Sequence, residues 1–489
     1  MDYATLDDRV GRLADGLRQL GLAPGDRVGL IVDTEPRSLE CLLAPLRAGL
    51  TIVPVNNRLH PAEHAFMLND CGARALLCSA PRVAPLLGVH DQIPTLEFII
   101  AMDGASKGEK GVLDYEELIE QSRPIDDAPV TEDSLAWIFY TSGTTGHPKG
   151  AMHTHRSINA MVIAQLIDVL PSDQHDRMAY VSPMSHAAGL LVFHQIAVGA
   201  CNVFPTFDRF TPENFYALVE RHRVTKVCLV PTMIQRLLDG PWPVENDLSS
   251  LQTIMYGAAP MYLEPMREAL RRFGPVFVGA YAQGEAPLAC SFLPKPEHVT
   301  NTAEENRRLS SVGVECFGVQ AEIVDADDNL AAPNESGEIV IRGDIVMKGY
   351  WNAPEATAET LRNGWLHTGD VGHLDEDRYL FITDRVKDMI IKGGTNIYPR
   401  EIEEILHRHP AIAEATVFGI PDTEWGEEVA AAIVLRDETK MEADEIIDWC
   451  SGSISSFKLP SEVHFVPELI KSSYGKILKR EVKASLYPQ

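Results

Sequence analysis

The chain has 489 residues, 45% of them apolar and 23% charged, and a formal net charge of −27. That length exceeds what one hydrophobic core supports, so two or more domains are expected. The acidic excess argues against a nucleic-acid backbone or an anionic membrane surface as partner.

The N-terminus, "MDYATLDDRV", is acidic and lacks an apolar run, so it does not read as a secretory signal. Leu6, Val10, Leu13, Leu17 and Leu20 recur at helical spacing and predict one amphipathic helix. "GLAPGD" closes it, and 27–32 reads as a short buried strand. Helix, glycine and strand recur over 38–56, and 73–79 and 96–102 read as further strands. This alternation predicts an α/β fold with a largely parallel sheet. Residues 135–140 form another apolar run, and 154–170 reads as a helix with Thr154 as a cap. The most apolar long window, Ala187 to Phe204, contains His194, Gln195 and Asn202, and reads as buried helix and strand, not as a membrane span. Beyond about Arg385 the pattern restarts. A helix begins near Pro399, with Ile402, Ile405 and Leu406 on one face. Strands at 414–421 and 428–435, a helix at 442–454 and a strand at 462–469 follow, enough for a small α/β domain. The eight cysteines (Cys41, Cys71, Cys78, Cys201, Cys228, Cys290, Cys316, Cys450) form no C-x-x-C pair and read as reduced, mostly buried thiols.

The stretch "YTSGTTGHPKG", 140–150, carries the chemistry. Between an apparent strand and an apparent helix, such a loop offers backbone N–H groups to an anion. Gly143 and Gly146 allow close approach of phosphate oxygens. Thr141, Ser142, Thr144 and Thr145 add hydroxyls, and Lys149 adds one positive charge. It is not a Walker A loop, because Lys149 lies between Pro148 and Gly150.

This stretch resembles, nearly letter for letter, the phosphate loop of the adenylate-forming (acyl-adenylate) superfamily. "SPMSHAAGL" (182–190), "YGAAP" (256–260), "YAQGE" (281–285), "HTGD" (367–370), "TDRVKDMIIKGG" (383–394) and "YGKILKR" (474–480) follow in that family's order. The resemblance implies a large N-terminal domain (1–384) of layered sheets and helices. It also implies a small mobile C-terminal α/β domain (388–489) and a hinge near 385–387 that includes Lys387. It implies an AMP-forming CoA ligase that activates a fatty or aromatic acid as acyl-AMP and passes the acyl group to coenzyme A. An enzyme loading a carrier protein is the alternative; such modules normally sit beside a carrier domain. ATP, Mg²⁺ and coenzyme A are the expected cofactors, the cytoplasm the expected location, and a homodimer is compatible with it.

Residue by residue, the resemblance makes Asp370 the acceptor for the ribose hydroxyls and Arg385 a ribose donor, and sets Tyr281 against adenine. Gly257, Ala258 and Ala259 contact the nucleotide and the acyl site, and Glu285 holds Mg²⁺. Thr145 belongs to the catalytic loop and His186 lines the acyl pocket. Lys476 is the mobile catalytic lysine, and Gly393 and Gly394 line the pantetheine tunnel. Met184, Val230, Met233 and Met255 are expected as apolar walls. Outside these motifs each residue would pass as a turn, surface or core residue. One departure stands out. Gly284 occupies the place of a phosphate-contacting threonine, so Gly284→Thr is expected to raise the adenylation rate by up to about tenfold or to change little.

Overall fold

A computed structural model describes residues 1–104, 111–141, 148–207, 209–242, 246–385, 388–392, 395–423, 425–436, 439–472 and 476–488, without the side chains of Arg385 and Asn396. The fold is α/β, and the described residues form four sheets. The first has seven strands, in the order Val112–Asp114, Phe98–Ala101, Ala75–Cys78, Arg27–Ile31, Thr51–Pro54, Leu135–Thr141 and Lys149–Thr154. All its neighbours run parallel except the last pair. The helix Tyr3–Gln19 buries the predicted stripe Leu6, Val10, Leu13 and Leu17, and the side chain of Asp2 caps its first turn through the Thr5 N–H.

The second sheet also has seven strands: Val314–Glu315, Ala286–Leu293, Phe277–Gln283, Thr253–Gly257, Lys226–Leu229, Arg177–Ala179 and Cys201–Val203. Its parallel part covers the last five, and its antiparallel edge begins at Ala286–Leu293. Ala187–Ala197 is a buried helix that leads to the strand Cys201–Val203, as expected from the apolar window. Six of the eight cysteines are buried, and Cys201 and Cys228 are partly exposed.

The third and fourth sheets are mainly antiparallel, which the helix–strand alternation did not signal. The third contains Val319–Val324, Gly337–Gly343, Trp365–Leu374, Leu361–Arg362 and Leu380–Arg385. The fourth contains Thr395–Ile397, Ile390–Lys392, Gly426–Leu435, Ile412–Asp422 and Glu462–Phe465. The helix Pro399–Leu406 covers it, with Pro399 in the first turn and Ile402, Ile405 and Leu406 buried. These residues belong to a core separate from that of the first 380 or so residues.

Polar contacts join this last sheet to the rest. Tyr262 donates to Glu403 Oε2 (3.0 Å), its ring stacks on His407 at 4.0 Å, and the Leu263 N–H reaches Glu404 (3.4 Å). The Arg400 N–H donates to Asp384 (3.0 Å), its guanidinium to the Ile382 carbonyl (2.7 Å), and Arg436 pairs with Asp239 (3.2 Å).

Candidate functional site

Thr141, Gly257 and Glu285 lie at the carboxyl ends of parallel strands, the usual place for ligands in open α/β sheets. Leu135–Thr141 ends at Thr141. In the second sheet, Thr253–Gly257 ends at Gly257 and its parallel neighbour Phe277–Gln283 runs into a two-residue turn, Gly284-Glu285.

Residues 142–147 stand in the chain between two strands, not between a strand and a helix. Thr141 pairs with Lys149 and Tyr140 with Gly150 in an antiparallel ladder, and the helix starts only at His155. The sequence reading is corrected here. Lys149–Thr154 buries residues on both faces, so it lacks the alternation that marks a strand. Gly150 permits the tight pairing, since a Cβ there would meet the Ile138 side chain at 2.6 Å. Thr154 does cap the following helix, in a reciprocal pair with Ser157. Ser142, Gly143, Thr144, Thr145 and Gly146 lie outside the described residues, as do Gly393, Gly394 and Lys387.

Glu285 meets Thr141, the last residue of the strand Leu135–Thr141. Its Oε1 accepts from the Tyr350 hydroxyl at 2.7 Å and lies 3.4 Å from Thr141 Oγ1. Lys149 Nζ stands 4.3 Å above the Tyr350 ring centroid. A carboxylate, a hydroxyl and an ammonium therefore share one small region. Among the described residues no group of three or more His, Cys, Asp or Glu side chains could cage a metal ion. A lone carboxylate suits Mg²⁺, which keeps waters and is held by one or two carboxylates together with substrate phosphates.

Asp370 lies on Trp365–Leu374, opposite Arg385. Gly369, at φ 69°, provides the left-handed turn before it. The Gly369 N–H and His367 both contact Glu338, each at 2.9 Å, and Thr368 Oγ1 donates to the Ile339 carbonyl at 2.6 Å. Asp370 Oδ2 then accepts from Tyr281 (2.7 Å) and Gln283 Nε2 (2.6 Å), and Gln283 also donates to the Thr368 carbonyl (2.9 Å). Tyr281 is thus tied to Asp370 through its hydroxyl. Burial, with the Asp370 charge beside it, holds that phenol well above its usual value, so it remains a donor. Gly257 lies against its neighbour strand, where a Cβ would be 2.4 Å from the Ala280 carbonyl, and Ala258 adopts φ 66°. A non-glycine residue in that region is uncommon and stores strain.

His186 immediately precedes the buried helix Ala187–Ala197, without a side-chain capping hydrogen bond. Its Nδ1 is 2.9 Å from Ser185 Oγ, and its ring meets Phe139 edge-on at 5.1 Å. Burial pushes its pKa down to about 3, so it is a neutral imidazole at working pH. Phe139 also abuts Gly284 and so connects His186 to the Glu285 turn. Met184 and Met255 belong to the large core, whereas Met233 packs against the second one.

The packing around Gly284 argues against the expectation for Gly284→Thr. Gly284 has no left-handed φ, but a Cβ there would lie 2.2 Å from Thr141 Cγ2 and 3.1 Å from Phe139 Cδ1. The turn is occupied from outside, and its carbonyl is held by His153 Nε2 at 2.7 Å.

Lys476 is exposed and lies beside an isolated antiparallel bridge between Lys471 and Ile477. Its N–H donates to Ser472 Oγ (3.2 Å), and the Ser472 N–H donates to its carbonyl (2.7 Å). Three residues on, Lys479 pairs with buried Glu403 at 2.8 Å. Glu403 binds Tyr262, three residues after Ala259, so contacts link the Lys476 segment to the Gly257–Ala259 loop.

Sequence reasoning missed Tyr350, Gln283 as a partner of Asp370, and Phe139. The glycine–aromatic pair Gly349-Tyr350, after the apolar run Ile345–Met347, was the available signal for Tyr350.

The AMP-binding enzyme family matches residues 1–351, and the AMP-binding enzyme C-terminal domain matches 401–476. The chain is 37% identical over 99% of its length to a feruloyl-CoA synthase of an Amycolatopsis species, covering 93% of that protein. It is 34% identical to the long-chain-fatty-acid–CoA ligase FadD13 of Mycobacterium tuberculosis, covering 98% of this chain and 92% of the relative. Among solved structures it resembles the amide bond synthetase McbA of Marinactinospora thermotolerans, with a TM-score of 0.89, 28% identity, and 99% and 94% of the two chains covered. It also resembles ATP-bound MatB of Rhodopseudomonas palustris, with a TM-score of 0.88, 26% identity, and 99% and 93% covered.

Proposed function

The chain belongs to the AMP-binding enzyme family, and from that premise we propose that it is an AMP-forming acyl-CoA ligase acting on a fatty or aromatic carboxylic acid. The observation that carries this is the convergence of two clusters at the strand ends. Thr141, Lys149 and Glu285 form one, and Asp370, Tyr281 and Gln283 the other. The first suits a polyphosphate and the second a ribose.

The substrate carboxylate attacks the α-phosphorus of ATP, giving acyl-AMP and releasing pyrophosphate. The thiolate of coenzyme A then attacks the acyl carbon and AMP leaves. Neither step needs a nucleophile from the protein, so the residues act by positioning and by neutralising charge. Lys149 and the 141–146 loop hold the β- and γ-phosphates. Asp370, with Arg385, fixes the ribose, and Tyr281 orients Asp370 while bordering the adenine. Mg²⁺, which neutralises phosphate charge, would be held by Glu285. Neutral His186 lines the acyl pocket without attracting the substrate carboxylate electrostatically. Lys476 supplies positive charge at the reacting carboxylate and α-phosphate in the first half-reaction only. The small domain, 388–489, rotates about a hinge at 385–387 between the two halves, and Gly393 and Gly394 line the thiol's path. A cytoplasmic location and a homodimer, checked by fractionation and light scattering, complete the reading.

Pyrophosphate exchange over a panel of carboxylic acids, followed by product analysis with free coenzyme A, tests it. AMP and an acyl thioester are expected. ADP as product, or turnover only with a carrier protein, would overturn it.

A further inference from the structure

We propose that Tyr350 is a positioning residue that fixes the Glu285 carboxylate and the Lys149 ammonium relative to one another. This rests on reading those two groups as the metal and polyphosphate end of the ATP site.

Residues 347–351 bracket that end of the site through the backbone. The Met347 N–H donates to the Glu285 carbonyl at 2.8 Å. Lys348 N–H donates to the Met152 carbonyl (2.8 Å), Met152 N–H to that of Gly349 (2.9 Å), and Trp351 N–H to that of Gly150 (2.7 Å). The same five residues thus bind both the Glu285 turn and the strand that starts at Lys149. On the far side, the Tyr350 N–H donates to Thr357 Oγ1 at 2.9 Å, and Trp351 Nε1 donates to the Asp70 carbonyl at 3.0 Å. The Tyr350 ring, 6% exposed, is therefore placed before any ligand arrives.

Its two contacts differ in kind, and each suits its partner. The hydroxyl donates to Glu285 Oε1 at 2.7 Å, and a carboxylate anchored through one oxygen can still coordinate through the other. The ring face receives Lys149 Nζ at 4.3 Å. Among the described residues no carboxylate forms an ion pair with Lys149. An aromatic face orients an ammonium without neutralising it, so its full charge is available to phosphate. A carboxylate in the same place would compete with the substrate.

Tyr350→Phe removes only the hydroxyl, and Tyr350→Leu also removes the ring face. Mn²⁺ binding by electron paramagnetic resonance, with α,β-methylene-ATP bound, reads the metal end. Calorimetric titration of α,β-methylene-ATP reads the polyphosphate end. Tyr350→Phe should weaken Mn²⁺ binding by about tenfold or more, as for other groups that orient a ligand. It should leave the melting temperature of the free protein nearly unchanged, and pyrophosphate exchange should recover at high Mg²⁺. Tyr350→Leu should in addition weaken nucleotide binding. Wild-type Mn²⁺ affinity in Tyr350→Phe, or equal losses in both variants that track their melting temperatures, overturns the proposal. Glu285→Gln separates the two levels. If it leaves Mn²⁺ binding intact, the reading of Glu285 fails and Tyr350 with it. If it abolishes binding while Tyr350→Phe does nothing, only the role of Tyr350 fails.

Discussion

Gly284→Ala tests how the two sheets are joined at the site. On the existing backbone its Cβ would stand 2.2 Å from Thr141 Cγ2 and 3.1 Å from Phe139 Cδ1, whereas carbon atoms in contact rest about 3.5–4.0 Å apart. Thr141 must turn about χ1 or the Gly284-Glu285 turn must shift. Overpacking of this kind costs about 1–3 kcal/mol; at about 2.1 cal/mol/K of unfolding entropy per residue, a unit of this size shifts by about 1 °C per kcal/mol, so the melting temperature should fall by about 1–4 °C. Either movement separates Thr141 Oγ1 from Glu285, now 3.4 Å away, and from the Lys149 carbonyl, also 3.4 Å. Misplacement costing about 1.4 kcal/mol in the transition state slows the reaction about tenfold. Single-turnover formation of acyl-AMP and a melting curve on Gly284→Ala, Thr141→Ser and the double variant form a cycle. Thr141→Ser keeps the hydroxyl and deletes the clashing methyl, so the double variant should recover most of both losses. Gly284→Thr should follow Gly284→Ala, and more severely. An unperturbed Gly284→Ala, or strictly additive effects in the cycle, would refute the reasoning.

Lys476→Ala should lose about three orders of magnitude or more in adenylation, yet still convert synthetic acyl-AMP and coenzyme A to thioester; equal loss of both half-reactions would make the lysine structural. Tyr262→Phe removes a hydrogen bond to buried, ionised Glu403, of the kind that contributes about 1.5–3 kcal/mol; amide exchange across Pro399–Leu406 should quicken about tenfold while Trp365–Leu374 is unchanged, and no difference would count against the contact. Burial pushes the pKa of His153, His194, His298 and His407 down to about 4 each. The unfolded chain takes up protons below about 6.5 that the folded one refuses. Stability should therefore be full above about pH 6.5 and decline toward pH 4, and a urea midpoint that stays flat between those values would contradict the burial.

Much of this was legible in the sequence where one local pattern decides the outcome. The stripe from Leu6 to Leu17 and the apolar runs at 27–32, 73–79 and 96–102 became a helix and parallel strands, because burial on both faces leaves a continuous apolar run. The strand Lys149–Thr154 was hidden, because Gly-Ala-Met-His has neither strand propensity nor alternation and is specified by its partner strand. The helix after it was read to 170 but stops at Ala164, where Gln165–Val169 form a π turn and Gln165 reaches the Leu288 carbonyl at 2.6 Å. At the site, ordered motifs named Lys149, Glu285 and Asp370. They could not name Tyr350 or Gln283, whose importance comes from which strand each meets. Nor could they show that a Cβ at Gly284 would meet the Thr141 methyl, which belongs to a residue 143 positions earlier in the chain.

The links named between the last sheet and the rest are hydrogen bonds, one ion pair and one ring stack: Tyr262 with Glu403 and His407, Leu263 with Glu404, Arg400 with Asp384 and Ile382, and Arg436 with Asp239. Heat capacity follows newly wetted apolar surface, and polar surface contributes with the opposite sign. Parting the hydrogen bonds and the ion pair would therefore add little to the heat capacity, with the Tyr262–His407 stack as the apolar share, in contrast to melting either core. An equilibrium between docked and undocked small domains should have a nearly linear van't Hoff plot, while global unfolding curves strongly with temperature. Warming would then change how fast the small domain exchanges positions much more than where its balance lies.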